Sequence, residues 1–141
     1  MRKPVLGSFL VGLLVALAGC GSGNPWDPVR VTGTITYEDG SLIPVKSLKL
    51  YFVPQTPPAD AKTFPREGAV GVNVSDGTFK DVTTYKYADG LIPGKHKVVV
   101  VAYDGERDLS PKVPKEYSAP TTTTLEIDTA DAPLEIKIRK P

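Results

Sequence analysis

The sequence predicts an all-β domain, a seven-stranded antiparallel β-sandwich with Greek-key connections. The chain has 141 residues, of which 14 are Pro and 13 are Gly, a content typical of turn-rich β proteins. From residue 29 onward, seven short segments alternate apolar and polar residues or form β-branched apolar runs, and no segment shows the helical period. About seven short strands in roughly 110 residues is the usual size of such a sandwich.

The N-terminal segment has the features of an export signal. Arg2 and Lys3 are followed by an uncharged, mostly apolar run of 14 residues, Val5–Ala18. A membrane-spanning helix needs about 20 apolar residues, so this run is short for a permanent anchor. It fits the apolar region of a signal peptide, which is removed and takes no part in the fold.

The signal ends at Leu17-Ala18-Gly19-Cys20, which contains the only cysteine of the chain. This tetrapeptide resembles the bacterial lipobox. The resemblance implies a thioether-linked diacylglycerol on Cys20, cleavage before Cys20 and a further acyl chain on the new amino group. Because one acyl chain holds a protein only marginally, two or three chains make the anchor durable. The alternatives are an ordinary secretory signal with an incidental free cysteine, and an uncleaved anchor.

These features divide the chain into a lipoprotein signal peptide (1–19), a lipidated cysteine with a flexible tether (20–28) and a β-sandwich domain (29–141). Trp26 in the tether either rests at the membrane interface or packs on the first strand. Removal of the signal takes away Arg2 and Lys3 and leaves 15 basic and 16 acidic residues. A nearly neutral domain has no electrostatic footprint for nucleic acid.

The strands are predicted from period-two alternation and from β-branched composition. In chain order they cover 29–38, 48–53, 70–75, 78–82, 94–103, 121–128 and 134–138. The third and fourth segments surround Ser75-Asp76-Gly77 and predict a hairpin. The fifth has a continuous apolar centre, which predicts a central strand or one covered on both faces. The segments 54–65, 83–90 and 104–120 are predicted loops.

The dipeptide Asp-Gly occurs at 39–40, 76–77, 89–90 and 104–105, in each case at a strand end. Turn chemistry explains this pattern, because Gly accepts a positive φ without steric penalty. Calcium binding is the alternative, since carboxylates supply its oxygen ligands. No Asp-x-Asp-x-Asp run with a terminal Glu is present, so we predict no metal site and no cofactor.

Five segments in order carry a family resemblance: Val31–Thr36 with Asp39-Gly40, Leu50–Pro54, Val74–Phe79, Ala88–Val100 and Val113–Thr121. They resemble the carboxypeptidase regulatory-like domain of small bacterial lipoproteins. The resemblance implies a transthyretin-like (prealbumin-like) sandwich to which no catalytic role is generally assigned. His96 departs from the pattern, because the family usually has Tyr at that position.

The residue inventory argues against an enzyme. His96 is the only histidine and alternates with Val98 and Val100, which predicts a core or edge residue. A Ser-His-Asp triad would need it as the base, and no serine lies in a G-x-S-x-G pattern. One His and one Cys also exclude blue-copper ligation, and no phosphate-binding glycine motif is present.

Binding is the remaining activity that the residues suggest. Tyr85, Tyr87 and Asp89 lie in one loop, and aromatic–polar loops on a rigid sandwich hold sugars or peptides. We therefore expect a membrane-anchored extracytoplasmic lipoprotein with a non-catalytic structural or protein-interaction module. Its partners would be the membrane, through Cys20, and another envelope protein or a glycan. The alternatives are a carbohydrate- or peptide-binding lipoprotein that uses loops 83–93 and 104–120, and, more distantly, a hydrolase.

Overall fold

The structure, a computed structural model, describes residues 24–141, so the predicted signal peptide and Cys20 lie outside the described residues. The strands are β1 (Gly33–Tyr37), β2 (Ser47–Pro54), β3 (Gly68–Gly71), β4 (Thr78–Phe79), β5 (Lys95–Tyr103), β6 (Glu126–Asp128) and β7 (Leu134–Ile138). Two short 3-10 helices cover Lys115–Ser118 and Thr129–Asp131. Within 24–141, no helix is long and apolar enough to cross a membrane.

The strands form two sheets, one of three strands in the order β4-β1-β7 and one of four in the order β3-β2-β5-β6. Inward-facing residues of both sheets form one hydrophobic cluster. Phe52 on β2 and Phe79 on β4 join the two sheets, with ring centroids 5.9 Å apart and ring planes tilted by 47°. The all-β, sandwich-like architecture predicted from the sequence is confirmed.

Period-two alternation correctly identified the inward residues of several strands. Ile35 and Tyr37 on β1 are buried, as are Leu134, Ile136 and Ile138 on β7. The predicted start of the first strand at Val29 is wrong, because β1 begins at Gly33. Val29 is instead 40% exposed and forms an isolated bridge to Leu91.

The continuous apolar centre of the fifth segment has the predicted cause. β5 lies between β2 and β6 in the four-stranded sheet. Val98 and Val100 face the core, and Val99, which faces the other way, is also buried. A strand with neighbours on both edges and cover on both faces has no polar surface to present, so its sequence loses the alternation.

The prediction of a purely antiparallel sandwich is wrong for one pair of strands. β1 and β7 run parallel, from Gly33 opposite Leu134 to Tyr37 opposite Ile138. The other pairs among the described strands are antiparallel. The chain reaches β7 from β6 in the other sheet, through the 3-10 helix Thr129–Asp131. No tight turn connects β7 to β1, so turn chemistry does not set their relative direction.

The predicted hairpin around Ser75-Asp76-Gly77 is also wrong in its pairing, although the turn itself is present. Gly77 has a φ of +76°, and its backbone N–H donates to the Asn73 carbonyl at 2.7 Å. The chain changes sheets at this turn: β3 pairs with β2, and β4 pairs with β1. A single bridge, between Asn73 and Thr78, joins the two arms.

Candidate functional site

The loop 83–90, which the sequence selected as a binding loop, is organised by the Asp89 carboxylate. Its Oδ1 accepts the backbone N–H of Thr84 at 2.8 Å, and its Oδ2 accepts those of Tyr85 at 3.0 Å and Lys86 at 2.9 Å. Three donors use most of the accepting capacity of the carboxylate. Asp89 therefore holds the loop in shape and offers little to a ligand.

The protonation of Asp89 reflects the same contacts. Burial alone raises the pKa of this carboxyl, but the backbone N–H groups of Thr84, Lys86 and Tyr85 stabilise the anion more strongly. The net result is a pKa below the ordinary value, so Asp89 is charged at neutral pH. A charged acceptor makes shorter and stronger hydrogen bonds than a neutral one, which makes the loop rigid.

The backbone of the loop is strained at Ala88, the residue directly after the exposed Tyr87. Ala88 has a φ of +57°, a left-handed conformation that costs about 1 kcal/mol or more for a residue with a Cβ. The Ala88 backbone N–H donates to Thr83 Oγ1 at 3.0 Å, which helps to hold this conformation. The Tyr87 side chain, directly before Ala88, is 83% exposed. Backbone strain of this kind concentrates at functional sites.

Tyr87 lines a cleft of about 1070 Å³ that is open to solvent along the β3 and β4 edges of the two sheets. Val70 and Phe79, both buried, form part of its apolar lining. Charged side chains also line it, namely Lys49, Lys80, Asp81 and Glu135. An aromatic ring beside an apolar floor with polar groups around it is a common arrangement in sugar and peptide sites.

Tyr85 faces a different space and has different partners. The Arg66 guanidinium lies 5.3 Å from the Tyr85 ring centroid, within cation–π distance. The Tyr85 hydroxyl accepts the Arg66 backbone N–H at 3.4 Å. Tyr85 lines a pocket of about 520 Å³ to which Tyr87 does not contribute. The structure thus brings Tyr85 together with Asp89 but places Tyr87 at a separate cleft.

Trp26 from the tether forms another wall of the Tyr85 pocket, together with Asn24, Asp27, Pro28, Lys86 and Asp89. The Trp26 backbone N–H donates to Asn24 Oδ1 at 3.0 Å. Trp26 therefore lies against the 83–90 loop, a position that the sequence did not suggest. Neither Trp26 nor Arg66 was assigned to this site from the sequence, because nothing local links them to Tyr85.

The second predicted binding loop, 104–120, is fastened to the body of the domain. The Tyr37 hydroxyl donates to the Lys112 carbonyl at 2.7 Å, and Lys112 Nζ donates to the Pro44 carbonyl at 2.7 Å. Tyr117 in the same loop is buried in the core. Part of this loop, around Val113 and Tyr117, therefore covers the sandwich, whereas residues 105–109 are exposed and include Leu109, at 63%.

His96 occupies the core position that the alternation indicated, with no exposed surface. Its Nδ1 lies 3.1 Å from the Gly94 carbonyl, and its Nε2 has no hydrogen-bonding partner among residues 24–141. Burial lowers the pKa of the His96 imidazole, while the Gly94 contact and Asp128 act in the opposite direction. A neutral imidazole without surface cannot reach a substrate as it stands.

Three of the four Asp-Gly pairs have the predicted turn geometry. Gly40, Gly77 and Gly90 have φ values of +84°, +76° and +100°. The carboxylates of Asp39 and Asp76 accept the backbone N–H two residues later, as in Asx turns. In the part of the chain that the structure describes, no group of three or more His, Cys, Asp or Glu side chains is placed to hold a metal ion.

Comparison of the chain with protein-family models, curated proteins and solved structures found no significant match.

Proposed function

We propose that this protein is a lipid-anchored, extracytoplasmic lipoprotein whose β-sandwich is a non-catalytic interaction module. The lipid is held by Cys20 in a cytoplasmic or outer membrane, with the domain facing the periplasm or the exterior. The observation that carries the interaction role is the 83% exposed ring of Tyr87, held on a loop that Asp89 makes rigid. Because the backbone of this loop is already ordered, binding through the Tyr87 ring needs little further ordering of the loop.

The family resemblance is part of the same proposal. We assign the domain to the carboxypeptidase regulatory-like group, with a transthyretin-like, seven-stranded Greek-key arrangement of its two sheets. Support comes from the five motif segments and from sheets of three and four strands. The non-catalytic assignment is supported by the burial of His96, the one histidine.

The anchor is tested by mass spectrometry of the protein purified from membranes. The wild type is expected to begin at Cys20 and to carry diacylglycerol with an additional acyl chain. Cys20→Ala is expected to remain as an unlipidated precursor. A Cys20→Ala protein that still carries labelled lipid would contradict the assignment.

A carbohydrate or a peptide is the ligand class that the Tyr87 cleft favours, because it combines an exposed ring with Lys49, Asp81 and Glu135. The test is a glycan, peptidoglycan and peptide array with the full-length protein in detergent. Binding is expected to disappear in Tyr87→Ala and to survive in Tyr85→Ala, since Tyr85 lines the other pocket. Equal loss in both variants argues against the cleft.

The hydrolase alternative has its own readout. Turnover on a panel of ester, peptide and glycoside substrates that is lost in a folded His96→Ala variant would overturn the non-catalytic proposal.

A further inference from the structure

The loops at one end of the domain are gathered around the start of the described chain. Val29, the first residue after the tether, and Leu91 exchange backbone hydrogen bonds of 2.8 and 2.9 Å, which fix the end of the tether beside the 83–94 loop. The Gln55 backbone N–H donates to the Lys95 carbonyl at 2.9 Å, which places the 54–67 loop at the same end. We call this end, formed by residues 24–29, 54–67, 83–86 and 89–94, the tether pole; Tyr87 lines the separate cleft along β3 and β4.

The surface of the tether pole is aromatic and carries exposed charged side chains of both signs. Trp26 and Tyr85 line one pocket, and the Arg66 guanidinium lies over the Tyr85 ring. Phe64, two residues before Arg66, is 64% exposed. Lys86, which lines the pocket of Trp26 and Tyr85, is also exposed. Aromatic side chains with nearby Lys and Arg are the residues that concentrate at the headgroup level of a bilayer.

The acidic groups of the pole cancel its positive charge. The Asp89 carboxylate is turned inward, onto the three backbone N–H groups of its own loop. Asp27, Asp60 and Glu67 are exposed at the pole and offset the charges of Lys62, Arg66 and Lys86. The attraction to a bilayer therefore rests chiefly on the aromatic rings, with no large electrostatic contribution.

Chain length keeps this pole close to the lipid. Four residue steps separate Cys20 from Asn24, and a fully extended chain of that length reaches about 14 Å. The opposite pole is much farther away, because Leu109 bridges to Tyr103 at the other end of β5. The eight residue steps from Lys95 to Tyr103 span about 26 Å at the usual rise of a strand.

We infer that the tether pole lies on the bilayer that holds the Cys20 lipid, with Trp26, Phe64 and Tyr85 in the headgroup region. This inference rests on the lipid anchor of the proposed function and adds an orientation to it. The opposite pole, which carries Leu109, then points away from the membrane. The Tyr87 cleft, which extends along the β3 and β4 edges, opens sideways just above the lipid surface.

The single tryptophan of the chain makes the orientation measurable. Full-length lipidated protein is reconstituted into vesicles of phosphatidylethanolamine and phosphatidylglycerol, with and without brominated acyl chains. Trp26 is expected to lose emission in the brominated vesicles and to become less accessible to acrylamide. Two double variants carry the single tryptophan at another position. One is Trp26→Phe with Phe64→Trp, at the tether pole, and the other is Trp26→Phe with Leu109→Trp, at the opposite pole.

The Phe64→Trp protein is expected to be quenched as Trp26 is, and the Leu109→Trp protein is expected to be unaffected. Equal quenching of both moved probes, or quenching at Trp26 alone, overturns the inference. The first result means that the domain has no fixed orientation, and the second means that only the tether touches lipid. Mass spectrometry of Cys20 in the same samples separates the two proposals, because a lipidated but unquenched protein contradicts the orientation and leaves the anchor intact.

Discussion

Val29 and Leu91 donate to each other's backbone carbonyls, at 2.8 and 2.9 Å, and so connect the tether to the loop that carries Tyr87. Gly90 lies inside this connection. A Cβ on Gly90 would come within 1.9 Å of the Val29 carbonyl oxygen, and its φ of +100° is unfavourable for any other residue. The connection therefore requires glycine for two independent reasons.

Gly90→Ala is expected to destabilise the domain by about 3 kcal/mol or more, since it adds a backbone clash to left-handed strain. Gly40→Ala is the matched control. Gly40 has a similar φ of +84°, but a Cβ there would meet nothing within 4 Å. It should cost only about 1 kcal/mol. Urea denaturation of both variants measures the difference, and equal losses would contradict the role of the Val29 contact.

Asp89→Asn is expected to destabilise the domain by about 2 kcal/mol, because an amide oxygen cannot replace two carboxylate oxygens that accept three N–H groups. The exposed Asp131→Asn is the control and should change little. Urea titrations at neutral pH give the comparison. An Asp89→Asn variant as stable as the control would show that the three contacts do not hold the loop.

The hydrogen bonds of the Asp89 carboxylate should also make the stability of the domain depend on pH in the acid range. The pKa of Asp89 is lowered in the fold, so its contribution to stability is complete above the ordinary value of 3.8 and is lost as the pH falls below it. Denaturation of wild type and Asp89→Asn between pH 6 and pH 3 is the measurement. The variant is expected to lose less stability over this range, and parallel losses would contradict the prediction.

The sequence predicted the inward faces of the strands well, because burial repeats every second residue and needs only local information. Ile35 on β1 and Ile136 on β7 were identified in this way, and the structure pairs them. Which strand pairs with which was harder to predict. The turn that ends at Gly77 has hairpin chemistry, yet its two arms enter different sheets, since pairing depends on partners such as β1 that lie far away in sequence.

In the candidate site, too, the sequence predicted only the contacts between residues that are close together along the chain. Tyr85 and Asp89 were selected from their own loop, and they do lie together. Arg66, 19 residues before Tyr85, and Trp26 in the tether reach the site only through the folded chain. No local pattern in the sequence marks such contacts. The separation of Tyr85 from Tyr87 was equally hidden, because two residues in an irregular loop follow no fixed period.

Tyr37→Phe is expected to loosen the 104–120 loop. The Tyr37 hydroxyl donates to the Lys112 carbonyl at 2.7 Å, and the loss of such a hydrogen bond costs about 1 kcal/mol. Hydrogen exchange should become faster in the segment 110–117. Tyr87→Phe, which changes an exposed ring in the same way, is the control and should leave the exchange of that segment unaltered.

His96 should make the domain sensitive to mild acid. Its pKa is lowered in the fold by burial, so as the pH falls below 6.5 the unfolded chain binds a proton before the folded one does. Stability is therefore expected to fall between pH 7 and pH 5, and the chain has no other histidine to blur the effect. His96→Leu should remove this dependence.

His96→Leu should also stabilise the domain by about 1 kcal/mol at neutral pH, because it eliminates a buried nitrogen without a partner. The Gly94 carbonyl keeps the Thr129 backbone N–H at 3.1 Å, so the substitution leaves no acceptor unpaired. Urea denaturation of both proteins at pH 7.5 and pH 5.5 is the test, and an unchanged pH dependence in His96→Leu would assign the effect to the carboxylates.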